Sequence, residues 1–163
     1  MEVEPKVTAL HPKLADAVPQ IITEAKARGL VVAMFSGVRK PEEQEKLYAL
    51  GRTVKNPDGF DPVKKPLGNI ITNAKAWESW HFYGLAVDFA FKNSNGGWWW
   101  PKDEDDRWDE IGKIGGMFGL AWGGAWTKFP DLPHFQLTGK IPTVREAKRI
   151  LFEKGIEAVW ALV

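Results

Sequence analysis

The sequence contains no cysteine, which excludes disulfides and thiolate metal sites together; a transition metal could be held only by histidine, aspartate or glutamate. Histidine is itself scarce, and His11, His81 and His134 are the whole supply. An excess of either charge is also missing. The 22 basic and 21 acidic residues leave a net charge of +1, without the basic field that drives binding to nucleic acid, so no nucleic-acid partner is expected. The amino terminus has no apolar run. Met1 to Leu10 carries Glu2, Glu4 and Lys6, which fits neither a secretory signal nor a membrane span, so synthesis in the cytoplasm without an export address is expected.

What is present is a soluble globular composition, 44% apolar and 26% charged over 163 residues, enough for one domain with a sizeable core. Nine tryptophans concentrate between Trp77 and Trp126, as core fillers first and walls for sugar or peptide ligands second. Leu14, Val18, Ile21, Ile22 and Ala25 recur at helical spacing over Pro12–Arg28, and Gly29 offers a stop. The apolar run Leu30–Phe35 reads as a buried strand delivering Ser36, Gly37, Val38 and Arg39 at its end. Pro41, Glu42 and Glu43 then open a helix expected to reach about Leu50. Arg52 to Lys75 reads as a long surface excursion, of a kind usually functional or mobile.

From Leu85 to Phe91 the sequence alternates strictly. Leu85, Val87, Phe89 and Phe91 are expected on a core face, with Asp88 between Ala86 and Ala90 on a cleft face; an exposed face with one solvated Asp is the alternative. A turn at Asn93–Gly97 precedes Trp98, Trp99 and Trp100. Asp103 to Asp106 lead a helix over about Arg107–Phe118, where acids favour the positive end of the dipole; a calcium loop is the sharper reading, but the spacing does not match an EF-hand. Gly119–Trp126 reads as a glycine-rich loop without a dinucleotide or phosphate fingerprint. His134–Leu137 reads as a short strand with His134 and Gln136 on one face, and Thr143–Val163 as core helix broken at Gly155.

His81 and Asp88 are seven apart, an odd offset that would set them on opposite sides of one straight strand; a turn at Gly84 lets them converge. Asp131 lies three residues before His134, between the stiffening Pro130 and Pro133. Taken singly, each histidine is more often structural. Taken together, two imidazoles, one carboxylate and a second free carboxylate could supply a hydrolytic zinc site, which needs three ligands, an open position and a base.

Ser79, His81, Gly84, Ala86 and Asp88 match the Ser-x-His-x-x-Gly-x-Ala-x-Asp signature of the zinc peptidases of the D-alanyl-D-alanine carboxypeptidase superfamily, which this chain therefore resembles. Ser36, Gly37, Arg39, Pro41, Glu43 and Gln44 resemble the segment that brings an arginine to the substrate. Ile71 to Ala74 resemble the lead-in, and Trp122, Gly123, Gly124, Trp126, Asp131, Pro133, His134, Phe135 and Gln136 the closing motif. The likeness covers about residues 10–140 and is nearest to phage L-alanyl-D-glutamate peptidase endolysins.

That resemblance implies an α+β fold, a small antiparallel sheet flanked by helices as in D-Ala-D-Ala peptidases and hedgehog-type relatives. It implies one zinc ion on His81, Asp88 and His134, with Asp131 as base and Arg39 on an oxyanion or a substrate carboxylate. Ser79, Gln44, Trp80, Trp122 and Trp126 are the candidates for substrate contact. The expected domain is a single catalytic unit with a helical tail over 141–163 and no wall-binding module. The expected partner is the peptide of peptidoglycan, met at the cell wall or periplasm by a monomer released through a separate pore-forming protein. A D-alanyl-D-alanine carboxypeptidase or dipeptidase, and a non-catalytic zinc-binding module, are the competing readings.

Overall fold

The computed structural model describes residues 4–163. Helix α1, Pro12–Ala27, begins with proline in its first turn, and His11 caps it by accepting a hydrogen bond from the Lys13 amide on Nδ1 at 3.1 Å. Leu14, Ala17, Ile21 and Ala25 form its buried stripe. The helix closes with the Leu30 amide donating to Ala25 O at 2.9 Å around Gly29 at φ +80°. This closure uses the donor of Leu30, so strand β1 runs over Val32–Ser36, two residues later than the apolar run predicts. Helix α2 follows at Pro41–Ala49.

The sheet is antiparallel and centres on β2, Ala86–Lys92. Its strand order is β1-β2-β5-β4, with β5 at His134–Gln136, β4 at Ala121–Trp122, and β3, Trp98–Trp99, paired to the far end of β2. Asp88 is paired with Ser36 on one side and His134 on the other. The architecture is the α+β arrangement the sequence predicts. Two expectations are corrected. Gly119–Trp126 is not all loop, because Ala121 and Trp122 pair with Gln136 and Phe135. Leu85 does not share the face of Val87, since it precedes the strand and packs elsewhere.

Two cores hold the sheet in place. The first joins Leu14 and Ile21 of α1 to Val87, Phe89, Phe91 and Phe135 and to Trp108, Ile111 and Ile114 of helix α3, Asp106–Met117. Asp105 caps α3 by accepting from the Arg107 amide at 3.0 Å. That cap accounts for part of the acidic run; no group of metal-holding side chains among the described residues includes it. The second core gathers Trp77, Phe82, Tyr83 and Leu85 under helices α4, Val144–Lys154, and α5, Ile156–Trp160, through Ala147, Ile150, Leu151 and Val159. Trp160 Nε1 donates to Tyr83 O at 2.8 Å, so the last helices fasten the turn carrying His81. No helix among the described residues is long and apolar enough to cross a membrane.

The segment between α2 and that turn is closed on itself. Asn56 is buried and donates its side-chain amide to Asn69 O at 2.8 Å, while its backbone amide donates to Leu67 O at 2.8 Å.

Gly84, at φ +66°, sits at a close backbone approach: a Cβ there would lie 2.4 Å from Ala9 O. Gly119, at φ +81°, has nothing within 4 Å. Gly84→Ala is therefore expected to cost more than about 2 kcal/mol and Gly119→Ala about 1 kcal/mol, read from urea unfolding midpoints. Equal costs would mean that backbone strain alone, and not the close approach, fixes Gly84.

Candidate metal centre

His81 lies on a single 3-10 turn, Trp80–Tyr83, capped by Ser79, whose Oγ accepts from the His81 amide at 3.4 Å. Gly84 ends the turn in the left-handed conformation and reverses the chain into β2, which resolves the odd spacing between His81 and Asp88. Sheet register does the rest by setting His134 beside Asp88. His81 Nε2 lies 3.3 Å and His134 Nδ1 3.4 Å from Asp88 Oδ1. The three side chains each offer a ligand atom within 4.8 Å of the others, and both histidines are buried.

The outward partners decide what these atoms can do. His81 Nδ1 lies 2.7 Å from Gly37 O; a carbonyl only accepts, so Nδ1 carries the proton and Nε2 keeps its lone pair. His134 Nε2 lies 2.9 Å from Gln136 Oε1, which likewise leaves Nδ1 as the free base. Arg39 Nη2 holds Asp88 Oδ2 at 3.3 Å and leaves Oδ1 to the imidazoles. Three electron-rich atoms thus face one point, an arrangement that suits a divalent transition ion with one position left open.

The titration of the site follows the same logic. Burial would push His134 down, but the hydrogen bond that its protonated ring would donate to Asp88 and the charge of that carboxylate outweigh it and raise its pKa. Burial would likewise push Asp88 up, yet the hydrogen bonds that protonated His134 and His81 would donate bring it well below the usual carboxylate range. Both shifts express a site that attracts positive charge.

Asp131 is set by the loop before β5. Its amide donates to Gly123 O at 3.0 Å and its carbonyl accepts from the His134 amide at 3.2 Å. Gly123 is required here, since a Cβ would lie 2.6 Å from Asp131 O. The residue sits at an exposed rim, but protein around its carboxyl raises its pKa, with Asp88 adding and His134, His81 and Arg39 opposing. A carboxyl with a raised pKa is a better proton acceptor than an ordinary one.

The other predicted contacts divide by burial. Gln44 is fully buried, accepts from Arg39 Nη1 at 2.9 Å and donates to Ala74 O at 2.6 Å. Both ends of its amide are engaged within the protein, so the contact it makes here is to Arg39, which it positions. Trp122 donates Nε1 to Leu132 O at 2.7 Å and packs against the first core, and Trp80 packs against the second. Trp126 is exposed with its ring 5.2 Å from that of His134, at the mouth of the centre. A groove of about 880 Å³ opens beside Arg39 between β1 and α2, lined also by Phe35, Gly37, Val38, Leu47 and Leu50. The partner roles of Gln136 and Gly37 O were not foreseen. Gln136 was legible as the residue two beyond His134 on the same strand face, whereas a backbone carbonyl leaves no mark in residue types.

Residues 72–137 match the D-alanyl-D-alanine carboxypeptidase family. The peptidoglycan L-alanyl-D-glutamate endopeptidase CwlK of Bacillus subtilis (strain 168) is 34% identical over 139 residues, spanning 82% of this chain and 76% of CwlK. The chain belongs to this carboxypeptidase family. It is a peptidase, a hydrolase of peptide bonds, and its His-Asp-His cluster fits a metal site. Two solved structures share the fold of this carboxypeptidase-family chain. The LD-carboxypeptidase LdcB aligns with TM-score 0.52 at 19% identity, over 100% of this chain and 74% of its own. The vancomycin-resistance D,D-pentapeptidase VanY, solved with Zn(II), aligns with TM-score 0.52 at 16% identity over 96% and 89%.

Removing the outward partner of a ligand tests the cluster directly. Gln136→Ala is expected to weaken zinc binding by the metal-free protein about 10- to 100-fold in calorimetric titration. An unchanged affinity would show that Gln136 does not hold the ligating form of His134.

Proposed function

We propose that this peptidase is a zinc-dependent endopeptidase that hydrolyses the L-alanyl-D-glutamate bond of peptidoglycan stem peptides. The convergence of His81, Asp88 and His134 beside Asp131 carries the chemistry, and the 34% identity to CwlK supports the choice of bond. A bound zinc ion supplies a Lewis acid that polarises a carbonyl and lowers the pKa of water toward neutrality. Asp131 accepts the proton of the attacking water and returns it to the leaving amine. Arg39 spends Nη2 on Asp88 and Ser36 and one Nη1 hydrogen on Gln44; its remaining donors serve a substrate carboxylate or the developing oxyanion from the groove it lines. Ser79 keeps the His81 turn in place, and Trp126 walls the substrate at the mouth.

The same reading makes the chain one catalytic unit, acting as a monomer at the wall or periplasm in a lytic role of the phage endolysin type, with a separate pore-forming protein to let it through. The name of the matched family favours a second reading, removal of terminal D-alanine by the same centre. Retention of Asp131 beside the cluster speaks against a purely binding module.

Mass spectrometry of digested muropeptides separates the two bonds: whole stem peptides starting at D-glutamate are expected, and release of D-alanine alone would replace the first reading with the second. Chelation is expected to stop the digest and zinc to restore it. Asp131→Asn is expected to lower kcat at least about 100-fold with zinc content unchanged. A variant that digests at the parent rate would remove Asp131 from the role of base.

A further inference from the structure

Outside the metal centre, the largest unexplained feature is an exposed aromatic group. Phe35, Trp98 and Trp100 are 51%, 42% and 46% exposed, though aromatic side chains of this size contribute most when buried. They are nevertheless ordered by one another. Phe35 meets Trp98 edge-on at 5.2 Å and Trp100 edge-on at 5.0 Å, and Trp100 is stacked 6.5 Å from the buried Trp108. The Lys92 ammonium lies 3.4 Å from the centre of the Trp98 ring. Rings held this way lose little freedom when a ligand settles on them.

Their position relative to the metal centre follows from sheet register. Along β2, Asp88, Ala90 and Lys92 share one face, and Trp98 pairs with Lys92, so Trp98 belongs to the face that carries the central metal ligand. The separation from Asp88 is four residues, or about 13 Å, and Ala90 between them is fully buried. Phe35 precedes Ser36, which pairs with Asp88, and it lines the same groove as Arg39. The aromatic group and the metal centre are therefore linked through Phe35 and the groove it shares with Arg39, whose guanidinium contacts Asp88.

We propose that Phe35, Trp98 and Trp100 form a platform for the sugar strand of peptidoglycan. The inference rests on the L-alanyl-D-glutamate reading. In that substrate the scissile bond is one residue from the sugar, about 3.5 Å when extended, so the sugar strand starts close to the metal centre, and a platform about 13 Å away is spaced to take rings further along that strand. Pyranose rings present an apolar C–H face that fits an exposed indole. A membrane surface fits the patch less well, because Asp103, Glu104 and Asp106 follow it directly as exposed acids, which anionic lipids repel.

Titration of the full chain with an N-acetylglucosamine tetramer, followed by tryptophan fluorescence, tests the platform without any cleavage step. Saturable binding is expected, weakened about tenfold in Trp98→Ala and largely retained in Trp98→Phe. In parallel, the loss of kcat/KM in Trp98→Ala on a disaccharide-bearing muropeptide is expected to exceed its loss on the free stem peptide about tenfold. Absence of tetramer binding, or equal losses on the two substrates, overturns the proposal even if the peptide bond is cut as expected. So does loss of retention on phosphatidylglycerol vesicles in Trp98→Ala with the sugar titration unchanged, which would mark a membrane contact. A chain that binds the tetramer through Trp98 but cuts no L-alanyl-D-glutamate bond keeps the platform and loses the bond assignment.

Discussion

A carboxylate oxygen with two imidazole nitrogens 3.3 and 3.4 Å away, all presenting lone pairs, is unfavourable unless positive charge sits among them. The rest of the site exists to maintain that condition. Gly37 O fixes the proton of His81 on the outer nitrogen, Gln136 does the same for His134, and Arg39 occupies the second oxygen of Asp88. Each of these contacts removes an alternative in which the cluster could satisfy itself by rotating a ring or turning a carboxylate. A cation bound at a thousand times its Kd would then add about 4 kcal/mol to the stability of the fold.

The scaffold supplies this arrangement from two directions. The first core fixes β2 against α1 and α3, and α3 comes close because Gly112 and Gly115 carry no Cβ; one would press on Trp122 and the other on Phe135. That proximity holds β5, and with it His134, in register with Asp88. The second core holds the His81 turn under the last two helices. Gly84 turns the chain inside the second core, between Tyr83 and Leu85 and against the backbone of Ala9, just before β2 enters the first core at Val87. The carboxy-terminal helices thus belong to the support of a ligand rather than to an appendage.

Much of this was legible in the chain because the relevant signals are local. The alternation through Val87, Asp88 and Phe89, the glycine between His81 and Asp88, and the two prolines around Asp131 each correspond to a feature of backbone geometry. What escaped is set by pairing and direction. Strands β3 and β4 have two residues each, too few to alternate, and exist only through their partners in the register. Gln44 shares a segment with Arg39, and adjacency gives no hint that its amide faces inward to Ala74 O. Trp80, Trp122 and Trp126 carry the same side chain into three surroundings: the second core, a wedge against Gly112 and Gly124, and the mouth of the site. Residue type alone does not distinguish these.

The outward partners, Gly37 O and Gln136, select which nitrogen of each imidazole is left to bind a metal. Nitrogen-15 NMR of the histidine rings in protein loaded with one equivalent of zinc reads this directly. Coordination is expected through Nε2 of His81 with its Nδ1 still protonated, and through Nδ1 of His134 with its Nε2 still protonated. Coordination through the opposite nitrogen of either ring, or free imidazole signals for both after zinc is added, would contradict this selection.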